Sequence, residues 1–253
     1  MKRVGTILTM MTALAITAAP ALAQRRAPAA APTTASVYAI HGISGDDLGA
    51  NIPRALPVDV WVKGVGCAIP NFTFGQVAGP LALPAGSYDI EIRFAASPAC
   101  SGTTAISAPG IAVSAGKSYT IVAHFKADAE GGLLGVGATA FENNITPTGP
   151  GRARIAAHHT ALAPEVDVYV SRDLDNPTAP AIVVSEFVNG DSVTAPIKPG
   201  DWQAALKLGG TNTVALGPAM LTLKPFTGYF VYAIGSAVTG SLDLRLITIE
   251  NLK

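Results

Sequence analysis

Four histidines, two cysteines and a few loop carboxylates are the residues in this chain whose types could catalyse a reaction or ligate an ion. His158 and His159 are adjacent, and neighbours on a strand point to opposite faces, so the two cannot readily chelate one metal. Neither H-E-x-x-H nor H-x-H spacing surrounds His41 or His124. His41 and His158 read as equivalent strand-end residues of two repeats, a place where histidine commonly bonds the backbone of a neighbouring loop. Asp46-Asp47 forms one acidic loop and Asp173, Asp175 and Asn176 another; the EF-hand spacing is missing, so both read as solvated charge. For nucleophilic chemistry the G-x-S-x-G elbow is absent: Gly42-Ile43-Ser44-Gly45 lacks the spacing, and Gly190-Asp191-Ser192 reads as a turn. The glycine-rich run 131–137 has no following Lys-Ser/Thr, so it predicts a hairpin and not a phosphate loop. The cysteines, Cys67 and Cys100, lack a nearby histidine pair and read as one disulfide of an oxidising compartment. No catalytic residue, metal ligand or cofactor is assigned.

Such residues need a scaffold, and the scaffold repeats itself. Val58-Asp59-Val60-Trp61-Val62 returns as Val166-Asp167-Val168-Tyr169-Val170, a shift of 166 − 58 = 108. Phe141-Glu142-Asn143 returns as Ile249-Glu250-Asn251, again 249 − 141 = 108. Between them, Pro84-Ala85-Gly86-Ser87-Tyr88 answers Lys198-Pro199-Gly200-Asp201-Trp202, and Ser118 to Ala123 answers Gly228 to Ala233. Ordered matches of this kind predict two homologous domains, residues 36–145 and 152–253, joined by the Pro/Gly-rich stretch 144–151. Within each, the alternation of apolar and polar residues (Val58 to Val62, Tyr88 to Phe94, Leu242 to Leu246) has the period of strands, punctuated by Gly and Pro turns. The prediction is all-β, two tandem antiparallel β-sandwiches of immunoglobulin-like or transthyretin-like type. Tyr88, Tyr119, Trp202 and Tyr229 each follow a Gly-containing turn, where an aromatic can hydrogen-bond back across the corner; they read as fold determinants. Trp61 and Tyr169 stand opposite the valines, each two residues after Asp59 or Asp167. If that face is wet, an aromatic beside a carboxylate is the chemistry of stacking on a sugar ring; if it is covered, the rings pack under a loop or at the domain contact.

The run Ala153 to His158 followed by Ala163-Pro164-Glu165-Val166-Asp167-Val168-Tyr169-Val170 resembles the start of the domain-of-unknown-function family DUF4397. Phe74-Gly75-Gln76-Val77, Leu81 to Tyr88 and Ala115 to Thr120 resemble the middle of the same domain. The likeness extends from about Ser36 to Asn251, the second copy lacking the Phe-Gly-x-Val run and the first carrying roughly nine extra residues between His41 and Asp59. The resemblance implies tandem secreted β-domains of bacterial type and brings no activity with it.

Composition sets the rest. Lys2 and Arg3, the apolar run that follows and Ala21-Leu22-Ala23 predict a cleaved export signal, residues 1–23, leaving 253 − 23 = 230 residues. A Pro/Ala-rich linker, residues 24–35, comes next. Only 13% of residues are charged and 49% are hydrophobic, which excludes disorder over most of the length. Lys plus Arg and Asp plus Glu balance at 17 each, with no basic stripe for nucleic acid. Apolar segments after the signal are broken before spanning length, so no membrane span is expected in the mature chain. The function predicted is a secreted or periplasmic, non-enzymatic binding or structural module for a surface polymer or a protein. The alternatives are a hydrolase or metal-dependent enzyme between the domains, using His41, His124, Asp46 and Asp47, and a subunit of an exported assembly.

Overall fold

Alternation of apolar and polar residues makes a strand with one apolar face, and the computed structural model has sixteen strands among its described residues. It describes residues 32–174 and 180–252; the expected export signal (residues 1–23), residues 24–31 of the expected linker, Asp175 and Asn176 lie outside the described residues. The first repeat contains β1 (Thr34–His41), β2 (Val58–Val62), β3 (Gly66–Phe72), β4 (Val77–Pro84), β5 (Gly86–Phe94), β6 (Thr104–Val113), β7 (Ser118–Ala127) and β8 (Leu133–Asn143). The second contains β9 (Ala153–His159), β10 (Val166–Ser171), β11 (Pro180–Phe187), β12 (Ser192–Ile197), β13 (Gly200–Leu208), β14 (Val214–Leu223), β15 (Gly228–Ile234) and β16 (Asp243–Ile249). A single 3-10 turn, Gly45–Asp47, is the only helical element among the described residues.

The sheets are β4-β1-β7-β8 and β3-β2-β5-β6, then β12-β9-β15-β16 and β11-β10-β13-β14. Subtracting eight from each label of the second pair returns the first pair, so the two repeats share one topology. The expected pair of antiparallel β-sandwiches is what the structure has, with one parallel pairing in each: β1 runs parallel to β7, and β9 parallel to β15. The intervening strands supply the long crossover that a parallel neighbour needs. The same register corrects the histidine equivalence. His41 lies opposite Ala123 and His159 opposite Ala233, so His159, not His158, is the counterpart of His41. The first repeat's insertion then measures (59 − 41) − (167 − 159) = 10 residues.

All four corner aromatics close as their positions require. The Tyr88 hydroxyl donates to the Pro84 carbonyl (2.8 Å) and Trp202 Nε1 to the Lys198 carbonyl (2.8 Å). The Ser114 and Lys224 amides donate to the hydroxyls of Tyr119 (3.3 Å) and Tyr229 (2.8 Å). Each bond fixes where one strand leaves a turn and enters the other sheet.

Each sandwich has its own apolar core, built on Val58, Val62, Ile90, Ile92 and Phe125 in the first and on Val166, Val168, Val170, Trp202 and Leu223 in the second. A third core lies between them. Ile40, Val122 and Phe141 on the outward face of the β1 sheet pack against Ala156, Phe230, Tyr232, Ile234 and Ile247 on the outward face of the β9 sheet. Four sheets therefore stack as layers, and central strands of the inner two, β7, β9 and β15, are buried on both faces. Sequence reasoning missed this layer, although a signal existed. β7 (SYTIVAHFKA) and β15 (GYFVYAI) lack alternation, and unbroken apolar runs mark strands covered on both sides.

Around Asn143, polar groups caught in the third core are paired with one another. Asn143 receives the Tyr232 hydroxyl (2.9 Å) and donates to Ser118 Oγ (3.1 Å) and Thr120 Oγ1 (2.9 Å). The inserted segment latches the repeats at their edge: the Ser241 hydroxyl donates to Asp47 (2.6 Å), and the Thr239 hydroxyl and Arg54 guanidinium reach across likewise. At one point only backbone fits. The Gly235 amide donates to the Gly42 carbonyl (3.0 Å), and a Cβ on Gly42 would stand 2.7 Å from the Ala123 carbonyl oxygen.

Candidate functional site

Asp59 and Asp167 sit on β2 and β10 with their carboxylates turned away from solvent. Asp59 is 1% exposed and accepts the amides of Asn71 (2.8 Å), Cys100 (2.6 Å) and Ala96 (3.4 Å). Asp167 accepts those of Glu186 and Gly210, both at 3.2 Å. Asn71 and Glu186 are corresponding bulge residues with positive φ, 51° and 57°, each just before a buried phenylalanine, Phe72 or Phe187. The carboxylate satisfies amides that a regular ladder would otherwise have used. Burial by itself would raise the Asp59 carboxyl, but the three amides outweigh it and hold it below the ordinary carboxylate value. Asp59→Ala is expected to lower the unfolding free energy by about 1–3 kcal/mol, because buried amides lose their acceptor. Chemical denaturation at pH 7 reads this, and an unchanged midpoint would exclude the role.

Trp61 and Tyr169 lie on the outer faces of the two outer sheets, half-buried, each with a cation over its ring. The Arg93 guanidinium is 4.8 Å from the Trp61 centroid and the Lys207 ammonium 4.3 Å from that of Tyr169. Arg93 is itself held by Glu91 (2.7 Å) and by the Cys100 carbonyl (2.6 Å). The four residues singled out as a carbohydrate platform are thus engaged with backbone amides and with cations. Cys67 and Cys100 are disulfide-bonded, Cα atoms 5.7 Å apart, beside this face. Closing a 33-residue separation stabilises by roughly 3–4 kcal/mol in the chain-entropy model, so the Cys67→Ala/Cys100→Ala variant should unfold at correspondingly lower denaturant. Equal midpoints for variant and parent would refute it.

The histidines are buried and not gathered into one site. The His41 Nε2–H donates to the Leu56 carbonyl (2.9 Å), and the Ile43 amide donates to its Nδ1 (3.3 Å). The His124 Nδ1–H donates to the Phe125 carbonyl (2.6 Å), and its Nε2 shares a hydrogen bond with Thr139 Oγ1 (2.9 Å). His158 stacks on Tyr232 in the third core, centroids 4.4 Å apart, and shares a hydrogen bond with Ser192 Oγ (2.7 Å). Asp46 pairs with Ser44 and Arg54, while Asp47 holds the latch to the second repeat. Among the described residues no three His, Cys, Asp or Glu side chains converge as metal ligands. The glycine-rich run forms the β7–β8 turn, closed by the Asp128 amide on the Gly132 carbonyl (3.0 Å), and continues into β8.

The place where the repeats differ most is the sandwich interior. The second encloses a cavity of about 260 Å³, against about 60 Å³ in the first. Matched positions explain it. Val62 pairs with Ile90 on β5, whereas Val170 pairs with Ala204 on β13. Val37 faces Leu81 on β4, whereas Ile155 faces Ala195 on β12. Ala39 lies beside Ile121 on β7, whereas Ala157 lies beside Val231 on β15. One exchange runs the other way, Ala78 to Val193. Ala195, Ala204 and Val231 all line the larger cavity. A sealed void of 260 Å³ would cost on the order of 6 kcal/mol, comparable to the net stability of a whole domain.

The cavity also has a side. β6 and β8 run against each other along one flank of the first sandwich, but their counterparts β14 and β16 make no comparable contact. Leu216, Gly217 and Ala219 of β14 and Asp243 and Leu244 of β16 contribute to the lining there. No reading of single residues could have found this cavity. Aligning the two repeats position by position could have, since Ile90/Ala204 and Leu81/Ala195 are visible in the sequence once the register is known.

Comparison with known proteins agrees with the resemblance in part of the chain. Residues 49–169 match the family model described as "Domain of unknown function (DUF4397)". The match begins in the insertion of the first repeat and ends on β10, so the remainder of the second repeat lies outside it. No curated protein matches the chain.

Proposed function

We propose that this chain, whose residues 49–169 match the DUF4397 family model, is an exported, non-enzymatic binding module whose ligand site is the interior of the second sandwich. The observation that carries the reading is the contrast between two interiors of one topology, about 60 Å³ in one and about 260 Å³ in the other. A stable fold does not need the larger space, as the first repeat demonstrates, and keeping it is costly. Its lining is aliphatic apart from His158, His159, Asp243 and Phe187, which suits an apolar guest. The first sandwich then serves as a rigid support, clamped to the second through the third core. Export is supported by the positively charged start, the apolar run and the Ala21-Leu22-Ala23 site, and by the disulfide. Among the described residues no helix is long and apolar enough to cross a membrane.

The test uses the neutral fluorophore N-phenyl-1-naphthylamine, whose emission rises in apolar surroundings. Saturable binding to one site per chain is expected, and it should disappear in the Ala195→Leu/Ala204→Ile variant, which restores the side chains of the first repeat. Absence of saturable binding to the parent protein would refute the reading. Export is tested separately by N-terminal sequencing of protein recovered outside the cytoplasm, which should begin at Gln24.

A further inference from the structure

His159 differs from His41 in a way that parallels the difference between the interiors. The two occupy the same register position, and corresponding backbone groups act on their rings: the Leu56 carbonyl accepts from His41, and the Pro164 backbone, since 56 + 108 = 164, acts on His159 together with that residue's own backbone. In the first repeat the other nitrogen, Nδ1, is satisfied by the Ile43 amide. In the second, Nδ1 of His159 finds no partner among the described residues, although the residue is only 2% exposed and lines the cavity. An unsatisfied buried nitrogen costs about 1–3 kcal/mol, and the described residues keep two, His158 Nε2 and His159 Nδ1; His159 has the strand parity of Ala153 and Ile155, which face the interior of the second sandwich, so its nitrogen is the one with a use there. Assigned the tautomer of His41, whose Nε2–H donates to the Leu56 carbonyl, His159 carries its proton on Nε2; Nδ1 is then the lone-pair side of the ring, and whatever meets it must bring a donor. Asp191 lies close enough to act on the His159 ring, so an anionic head group there would be repelled.

The geometry points to a hydroxyl-bearing alkyl compound as the ligand: an unbranched chain between Val168, Val170, Ala204 and Leu206 on one sheet and Ala157, Ala195 and Val231 on the other, with its O–H donating to His159 Nδ1. The space exceeds the roughly 150 Å³ engineered cavity that accepts benzene, so a medium-length chain fits. This rests on the second sandwich being the binding half and adds to it the class of ligand and the residue that selects it.

Calorimetric titration of the full chain with 1-decanol, its methyl ether and decanoate at pH 8 tests the assignment. The alcohol is expected to bind about tenfold more tightly than the ether, which keeps the chain but lacks the donor. Decanoate should bind more weakly than either. The preference for alcohol over ether should vanish in His159→Phe; should that variant not fold, the comparison of ligands on the parent protein carries the test alone. Equal affinity for alcohol and ether, with both lost in Ala195→Leu/Ala204→Ile, would overturn the role of His159 while leaving the binding cavity intact. No alkyl binding, or binding unaffected by the refilled cavity, would overturn both.

Discussion

Between pH 7.5 and pH 4.5 the protein is expected to lose on the order of 5 kcal/mol of unfolding free energy, most of it from two histidines. Burial lowers the pKa of His41 and of His158 from the ordinary 6.5 to about 4. For His41 the hydrogen bond to the Leu56 carbonyl works against that shift without cancelling it. The groups facing the rings are uncharged: Leu56, Ile43 and Phe72 around His41, and Phe141, Tyr232 and Ser192 around His158. As pH falls through 6.5 the unfolded chain takes up protons that the folded chain refuses, so stability is complete above about 6.5. It declines until about 4, where the folded protein also protonates, and each histidine then accounts for roughly 3 kcal/mol. His124 and His159, lowered by the same burial, act in the same direction. Below pH 4 the depressed Asp59 carboxyl continues the loss. Denaturant titrations at the two pH values measure the difference. His158→Phe, which keeps an aromatic ring between Phe141 and Tyr232, should recover about half of it. A loss below 1 kcal/mol in the parent protein would show that these rings stay charged when folded.

The second large effect concerns the layer between the sandwiches. Phe230→Ala should destabilise the whole chain by about 3–5 kcal/mol, since Phe230 is 1% exposed and packs in the third core. The loss should be felt on both sides at once. The two tryptophans are placed to report this, Trp61 on the first sandwich and Trp202 on the second. Trp61→Phe leaves a probe of the second sandwich and Trp202→Phe a probe of the first. In each single-tryptophan background, Phe230→Ala should shift the fluorescence midpoint equally. Separate transitions, with only the second sandwich affected, would mean that the repeats fold as independent domains and that the shared layer adds little. Residues 32–145 expressed alone should fail to unfold cooperatively, because Ile40, Val122 and Phe141 would then face water.

Much of the architecture was legible from local rules. Strict alternation at Val58–Val62 and Val166–Val170 requires one buried face, and it identified β2 and β10. Glycine followed by an aromatic located four corners, because a ring two residues beyond a turn has few other places to put its polar atom. The cysteine pair followed from counting. The pairing of Asp59 and Asp167 with Trp61 and Tyr169 was less legible. Their spacing suggested a carboxylate beside a ring, yet a strand side chain cannot be assigned to solvent or to a neighbouring bulge until the bulge is known. Asn71 and Glu186 at positive φ supply that bulge; asparagine is a type that favours this conformation, but nothing in glutamate announces it.

By itself the chain determined that it forms strands, that it forms them twice, and where each copy turns, since these depend on residues within a few positions of one another. Three things were decided only in the tertiary structure. The parallel register of β1 with β7 and β9 with β15 set which histidines correspond, and a one-residue slip there reverses every face. The inner sheets became a shared core because the outward face of one copy found its complement on the other. The cavity exists because Ala195, Ala204 and Val231, on three different strands and ordinary one by one, line the same interior, and packing volume is a property of the set and not of its members.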